Sequence, residues 1–485
     1  MAMLQRRTIR SLCVSIFLQF LLLWGVSSAF LPSDNALINC GTADGATVDN
    51  RLFLPDEDEA DSFRLSAPSS VSLRDGNQPA DSSPLYRTAR IFTRRSTYGF
   101  SIKNKGTHFL RLHFYPFSSQ GYNLSAAVFS VSAQGFLLLK DFTVPRGNRI
   151  VKEFLINVQT ENFDISFGPS YGKPSLAFVN AIEVFSAPAD LLLDVARGLG
   201  PNEVEAFDGL SRQGLETVYR LNVGGPKVTP FNDSLWRTWT PDNEYLRLPD
   251  SAKAISFSGR IKYQKGGASR EVAPDSVYRT ARQMNSVNIS EGHFNVTWRL
   301  PVSLGYKYLV RMHFCDIVSL TANELFFNIY INGYLGYKDF DLSAVDVTNQ
   351  MLAAPYYMDF VVEPDTSGFI YVTIGPSRLS SSSKINAILN GLEIMKMNNS
   401  MHSFDGEFSA SSVLRSWPRS STDFWLCSFL AGFAIMSLMV VGFMMISRRR
   451  MEMRESLAWS RLPVESKEDN SRYGPSPLSG KLVYY

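Results

Sequence analysis

The chain has 485 residues, and its 48 Lys and Arg against 45 Asp and Glu leave a formal charge of +3. That excess lies at the ends: setting aside Arg6, Arg7 and Arg10, and the eight basic and five acidic residues after Ile446, the span between keeps 37 basic and 40 acidic residues. A near-neutral span excludes the cationic face that a nucleic-acid binder needs, and a chain of this length that is 45% apolar can bury large cores without covalent staples.

The first element is a leader. Arg6, Arg7 and Arg10 precede an apolar run from Leu12 to Trp24, and the small residues of VSSAF come next. Basic, apolar, small in that order reads as a secretory signal peptide over residues 1–29, with cleavage after Ala29. Residues 30–187 then read as β: short aromatic and β-branched runs are punctuated by turn residues such as NKG at 104 and PRGN at 145. The acidic run PDEDEAD, Asp56 to Asp61, could hold calcium or pair carboxylates, but its crowding on a loop reads better as a solvated face. Residues 188–218 have helical apolar spacing in LLLDVARGL before turning polar, which predicts a linker that is helical in part.

A repeat organises the middle of the chain. YRTAR at 86–90 returns at 278–282, FLRLHF at 109 answers LVRMHF at 309, ISFGPS at 165 answers VTIGPS at 372, and AFVNAIEVF at 177 answers AILNGLEIM at 387. A short binding motif would not carry such a collinear train, so residues 219–397 are a second copy of the first domain. His113 and His313 hold equivalent strand positions, each two residues after an Arg, and read as structural strand residues rather than as a zinc site. Many short strands with frequent turns predict one antiparallel sandwich per copy.

Residues 398–423 read as a juxtamembrane stalk. Phe424 to Ile446 is an uncharged apolar run of 23 residues, with Arg448, Arg449 and Arg450 close behind it. About 20 residues span a bilayer, and the positive-inside rule puts the end of the chain in the cytoplasm. Residues 447–485 are polar and carry Pro, Ser and Gly, which predicts a short disordered tail. Sequons begin at Asn123, Asn232, Asn288, Asn295 and Asn398, all between leader and membrane run. Cys13 lies in the leader and Cys427 in the membrane run, which leaves Cys40 and Cys315 on the oxidising side. One disulfide between them is expected, with two separate buried thiols as the alternative.

YRLNVGG at 219, DNEYL at 242, VYRTAR at 277, FFNIYINGYLGYKDFDL at 326 and INAILNGLEIMKM at 385 resemble, in that order, the malectin domain. With ALINCG at 36 and HFCDI at 313, the span from about Asn35 to Met397 is similar to the tandem malectin-like region of plant receptor-like kinases of the Feronia/Theseus group. The resemblance implies a mainly β fold, two tandem malectin-like, jelly-roll-like sandwiches beside one transmembrane helix, in a single-pass plasma-membrane protein with its N-terminus outside. It implies as ligand a secreted cysteine-rich signalling peptide or pectin-type cell-wall carbohydrate, with a GPI-anchored co-receptor and a full-length receptor kinase as partners. Malectin holds a glucose disaccharide with aromatic rings and a carboxylate. Tyr98 and Phe100 in copy one, and His293 and Phe294 in copy two, stand where those rings would be, although the pocket Asp has no match here. Aromatics at period two also suit a core.

The family continues into a kinase. Here no Gly-rich phosphate loop, His-Arg-Asp loop or Asp-Phe-Gly comes after Arg450. The expectation is therefore a protein with no enzyme activity and no cofactor or metal, acting with or against a full-length receptor kinase. A cell-wall lectin or tether, and an inert truncated remnant, are the alternatives.

Overall fold

A computed structural model describes residues 30–57, 62–67, 69–77, 82–170, 176–201, 204–285, 295–379, 386–416 and 421–458. The leader, Asn288, His293, Phe294, the acidic residues 58–61 and the tail beyond Ala458 lie outside the described residues.

Each copy packs an outer sheet on an inner one and adds a three-stranded sheet that holds Thr88–Phe92 or Thr280–Met284. In the first lobe a five-stranded sheet, ordered Phe136–Phe142, Phe129–Ala133, Asn162–Pro169, Ser96–Ser101 and Phe63–Ser66, faces the Gly106–Phe114 strand and its neighbours. In the second, a four-stranded sheet containing Val296–Pro301 and Phe369–Pro376 plays the same part. Their alternation is legible in burial: Phe369–Pro376 runs half-buried, buried, half-buried, buried along Phe369, Ile370, Tyr371 and Val372, with the buried set facing the core.

The inner sheets of the two lobes are one sheet. It has thirteen strands, and the seam is the antiparallel pairing of Ile150–Val158 with Leu215–Asn222, where Phe154 meets Glu216 and Leu155 meets Leu215. The central strands Gly106–Phe114 and Tyr308–Cys315 are buried on both faces. Leu110, Leu112 and Phe114 fill the first core, while Val310, Met312 and Phe314 fill the second. The alternate positions, Phe109 with Leu309, and Arg111 and His113 with Arg311 and His313, point away from those cores. An isolated sandwich would expose that face. Here it stays buried, and Phe109, Leu155, Phe185, Leu215, Leu309 and Met395 form an apolar cluster that both lobes share.

Three expectations are corrected. Among the described residues of 188–218 the helical content is one 3-10 turn, Leu210–Arg212, in place of the expected helix: Val195–Leu199 and Val204–Asp208 form an antiparallel hairpin, and the first of them pairs in parallel with Pro355–Val362. The apolar residues with helical spacing find their neighbours through a sheet instead, Leu191 and Ala196 entering the shared cluster. Residues 398–416 are no free stalk. They return to the first lobe, where Phe404 enters its core, Leu137 N donates to His402 O at 2.9 Å, and the Ala410–Ser416 helix packs on Leu137. Finally, the helix Ser421–Ala458 runs on past Ile446 to Ala458, so the start of the tail is ordered. Its stretch Ser428–Arg454 is long and apolar enough to cross a membrane.

Candidate functional site

The YRTAR residues build the same corner in each lobe. The Tyr86 hydroxyl lies 2.9 Å from His113 Nδ1, and that of Tyr278 lies 3.2 Å from His313 Nδ1. The backbone oxygens of Thr88 and Thr280 accept from Asn180 and Asn390 at 2.8 and 2.9 Å. Gly41 (φ +76°) and Gly224 (φ +71°) pass so close to Ala89 and Ala281 that a Cβ would sit 2.1 and 2.2 Å from their oxygens. Only glycine fits such a crossing. Arg90 clasps Asp56 at 2.6 Å, and Arg282 reaches Asp242 at 3.2 Å. YRTAR is therefore a folding device.

That corner decides several residues singled out in the sequence. Asp56 is no part of a solvated face: it is 4% exposed and also accepts from Gly41 N at 2.8 Å. Tyr98 and Phe100 are 0% and 1% exposed, and the Tyr98 hydroxyl donates to Asp56 at 2.7 Å, so neither presents a ring to a ligand. Trp298 takes the place of Tyr98 in the second lobe, its Nε1 donating to Asp242 at 2.8 Å. The expected disulfide is absent. Cys40 and Cys315 are free and buried in separate clusters of different lobes, and burial pushes both thiols well above their usual range. Among the described residues, no His, Cys, Asp and Glu side chains group as metal ligands. Asn123, Asn232 and Asn295 are exposed; Asn398 is half-buried and accepts from Gly214 N at 2.8 Å.

What the repeat does bring together is a cleft between the lobes, of about 710 Å³. Its floor is a chain of buried charges. Glu183 accepts from Arg51 and, at 3.1 Å, from Arg111; Arg111 reaches Glu153 at 2.6 Å; Glu153 accepts from Arg220 at 2.8 Å; Arg220 reaches Glu393 at 2.7 Å. Three guanidiniums face three carboxylates, so the charges balance across the seam. Each end closes on a histidine, His113 Nε2 at 2.8 Å from Glu183 and His313 Nε2 at 3.1 Å from Glu393. A neutral ring that accepts from the tyrosine at Nδ1 and donates to the glutamate at Nε2 satisfies every partner. Burial pushes the His313 ring below its usual range, against the opposing pull of Glu393. Burial alone would raise the carboxyl of Glu153, but Arg220 and Arg111 outweigh it and bring it to about 2.

One wall of the cleft is the loop FNDSLWRTW, 231–239. Asp233 pins it by accepting from Leu235 N at 2.8 Å, Arg237 Nε at 2.9 Å and Trp239 Nε1 at 2.9 Å. The loop drives Leu235 into the shared cluster, and Leu235 O accepts from Arg111 at 2.8 Å. Trp236, held at φ 55°, lies over Arg51 at 4.7 Å and meets Phe185 edge-on. At the opposite rim Arg149 covers the Tyr86 ring at 4.3 Å. Sequence reasoning expects a cleft between the two sandwiches but assigns none of these residues to it. The available signal was a Glu inside an apolar strand in both copies, Glu183 and Glu393, opposite Arg111 and Arg311.

Residues 38–397 match the malectin-like domain family. A probable receptor-like protein kinase of Arabidopsis thaliana is 42% identical over 452 residues, covering 92% of this chain and 53% of that protein. Receptor-like protein kinase HERK 1, also of Arabidopsis thaliana, is 39% identical over 455 residues, covering 92% and 52%. The chain thus spans about half the length of the curated relatives it matches. Among solved structures, the plant receptor-like kinase ANX2 superposes with a TM-score of 0.68 at 30% identity, over 77% of this chain and 98% of that one. FER, solved in complex with the plant peptide RALF23 and LLG2, superposes with a TM-score of 0.65 at 31% identity, over 78% and 98%. The chain belongs to the malectin-like domain family, in the form found in plant receptor-like kinases of the Feronia/Theseus type.

Proposed function

We propose that this chain is a single-pass plasma-membrane receptor-type protein whose paired lobes, held outside the cell, bind a secreted cysteine-rich signalling peptide. A GPI-anchored co-receptor would take part, and a full-length receptor kinase would be assisted or opposed. The observation that carries this reading is the likeness of both lobes to FER, which is known in complex with a peptide and LLG2. The inter-lobe cleft suits the role because it is walled by both copies, so that a ligand seated there touches both at once. The apolar helix Ser428–Arg454 provides the membrane span, and Arg448, Arg449 and Arg450 orient it.

A second reading, attachment to pectin-type polysaccharide, rests on the cleft rim. Arg149, Lys227 and Trp236 offer cations and a ring face to an acidic sugar. The test is a titration of the full chain in nanodiscs with a cysteine-rich signalling peptide and, separately, with oligogalacturonide, each with and without a GPI-anchored co-receptor. Peptide binding in the micromolar range or tighter, strengthened by the co-receptor, is expected. Binding of the sugar alone would turn the reading to a wall tether, and binding of neither would overturn both.

A further inference from the structure

The thirteen-stranded sheet ends, beyond the seam and the second lobe, on the strand Val204–Asp208. Its inner side pairs with Val195–Leu199, and among the described residues no strand pairs with its outer side. Val204, Glu205, Ala206 and Asp208 are all exposed. Two other sheet edges are closed: residues 402–404 bond to Leu137 along Phe136–Phe142, and Tyr245 and Arg247 bond across Val296–Pro301. An open edge with no proline, lysine or bulge is a template for another strand.

A groove of about 630 Å³ is lined by Glu205, Ala206 and Phe207 of this strand, by Gly198 and Leu199 of its partner and by Val361 and Val362 of the next strand in. Its apolar lining includes Ile331, Val361, Phe207 and Tyr334. Its charged residues are Glu205, Glu363 and Asp365 against Lys307, which lies 3.9 Å from Glu363. Backbone groups of an added strand would satisfy the edge while its side chains on the Glu205 face approach the mouth of the groove, the arrangement by which extended peptides join sheets. The sign of the groove chooses the occupant. A second copy added antiparallel would set Glu205 against Asp208 of its counterpart in the register that pairs residues 205–208, and would bring the two Glu205 side chains diagonally onto one face in the register that pairs all of 204–208. Like charges so placed across strands repel. A strand with lysine or arginine at alternate positions would instead meet three carboxylates.

We propose that Val204–Asp208 accepts, by strand addition, an extended basic stretch of the peptide ligand. This rests on the reading of the chain as a peptide receptor and adds a docking edge on the second lobe, lined by residues other than those of the inter-lobe cleft.

The test uses the full chain in nanodiscs of zwitterionic lipid and a capped eight-residue probe alternating Lys and Val. Two controls replace its Lys by Glu or N-methylate alternate backbone amides. The basic probe should bind at least tenfold more tightly than either control. In the double variant Glu205→Lys, Asp208→Lys, whose changes are both at exposed positions, the preference should invert toward the Glu probe. Equal binding of the N-methylated probe, no binding of the basic probe, or an unchanged preference in the double variant would each overturn the proposal. A chain that fails here yet binds a cysteine-rich peptide in nanodiscs loses the edge and keeps the receptor reading. One that binds the strand probe but no cysteine-rich peptide loses the receptor reading instead.

Discussion

Arg220 serves two carboxylates at once, Glu153 through Nη2 and Glu393 through Nε, and so joins the lobes at its own position. Removing one member of a buried ionic set strands its partners without solvent, at a cost of about 3–5 kcal/mol. Arg220→Ala should therefore lower the unfolding free energy measured in urea by that amount. Arg220→Lys should recover little of it, since a single ammonium cannot present the planar fork that reaches both glutamates. A midpoint unchanged in the alanine variant would show that the chain of charges carries no stability. The pH dependence comes from the same residues. Glu153 sits at about 2 in the fold, below its ordinary 4.5, so its contribution is present above 4.5 and is lost as pH falls toward 2. His313 is also depressed from 6.5, so the unfolded chain takes up its proton first and stability falls as pH drops below 6.5. Melting temperature should thus decline from pH 7 to pH 4, with the onset near 6.5. A melting temperature that rises on acidification would contradict the neutral assignment of His313. At the surface, mass spectrometry of protein from a plant membrane fraction should find glycans at Asn123, Asn232 and Asn295. Asn398 should stay bare, because its side chain is already committed to Gly214 N and Asn399 O.

Among the elements, the return segment 398–416 acts as a strap. Phe404 fills a site in the first core against Phe154 and Phe136, and Asp405 accepts from Lys140 N at 2.9 Å. Gly214 leaves room for the ring, since a Cβ there would lie 2.9 Å from Phe404. Truncation of a buried Phe costs about 3–5 kcal/mol. Phe404→Ala should lose about that much and make the chain near 398–416 open to protease while the sandwiches stay resistant. Protection equal to that of the parent would mean that other contacts hold the strap. The hairpin Val195–Asp208 teaches a related lesson. LLLDVARGL has the spacing of a helix, yet the Pro355–Val362 edge beside it offers unpaired backbone groups, and tertiary pairing overrides a weak local preference.

Across the two lobes together, the continuous sheet, the shared apolar cluster and the charge chain make one cooperative unit. Differential scanning calorimetry of the full chain should show the lobes melting in a single transition, with calorimetric and van't Hoff enthalpies in agreement. Two resolved lobe transitions would refute that coupling. Much of this architecture was legible in the residues. The duplicated motifs, the β character of each copy and the membrane run come from periodicity and composition, because burial of apolar faces imposes those patterns locally. What pattern alone could not decide was which residues of the two copies would face each other. Once the second copy lies against the first, Arg111 and His113 stop being the polar outer face of a strand and become the floor of a cleft, balanced by Glu153 and Arg220 from neighbouring strands. Cys40 and Cys315 were an expected pair only because they shared a compartment; tertiary packing put them in separate cores. Tyr98 stood open to two readings, core or ligand ring, and Asp56, buried by Arg90, decides for the core by taking its hydroxyl. Residue order was enough for the repeat, the strands and the span, since these depend on neighbours along the chain. The cleft, the open edge and the strap exist only in the folded chain, since each joins residues far apart in sequence whose charges and surfaces acquire meaning when packing removes the water between them.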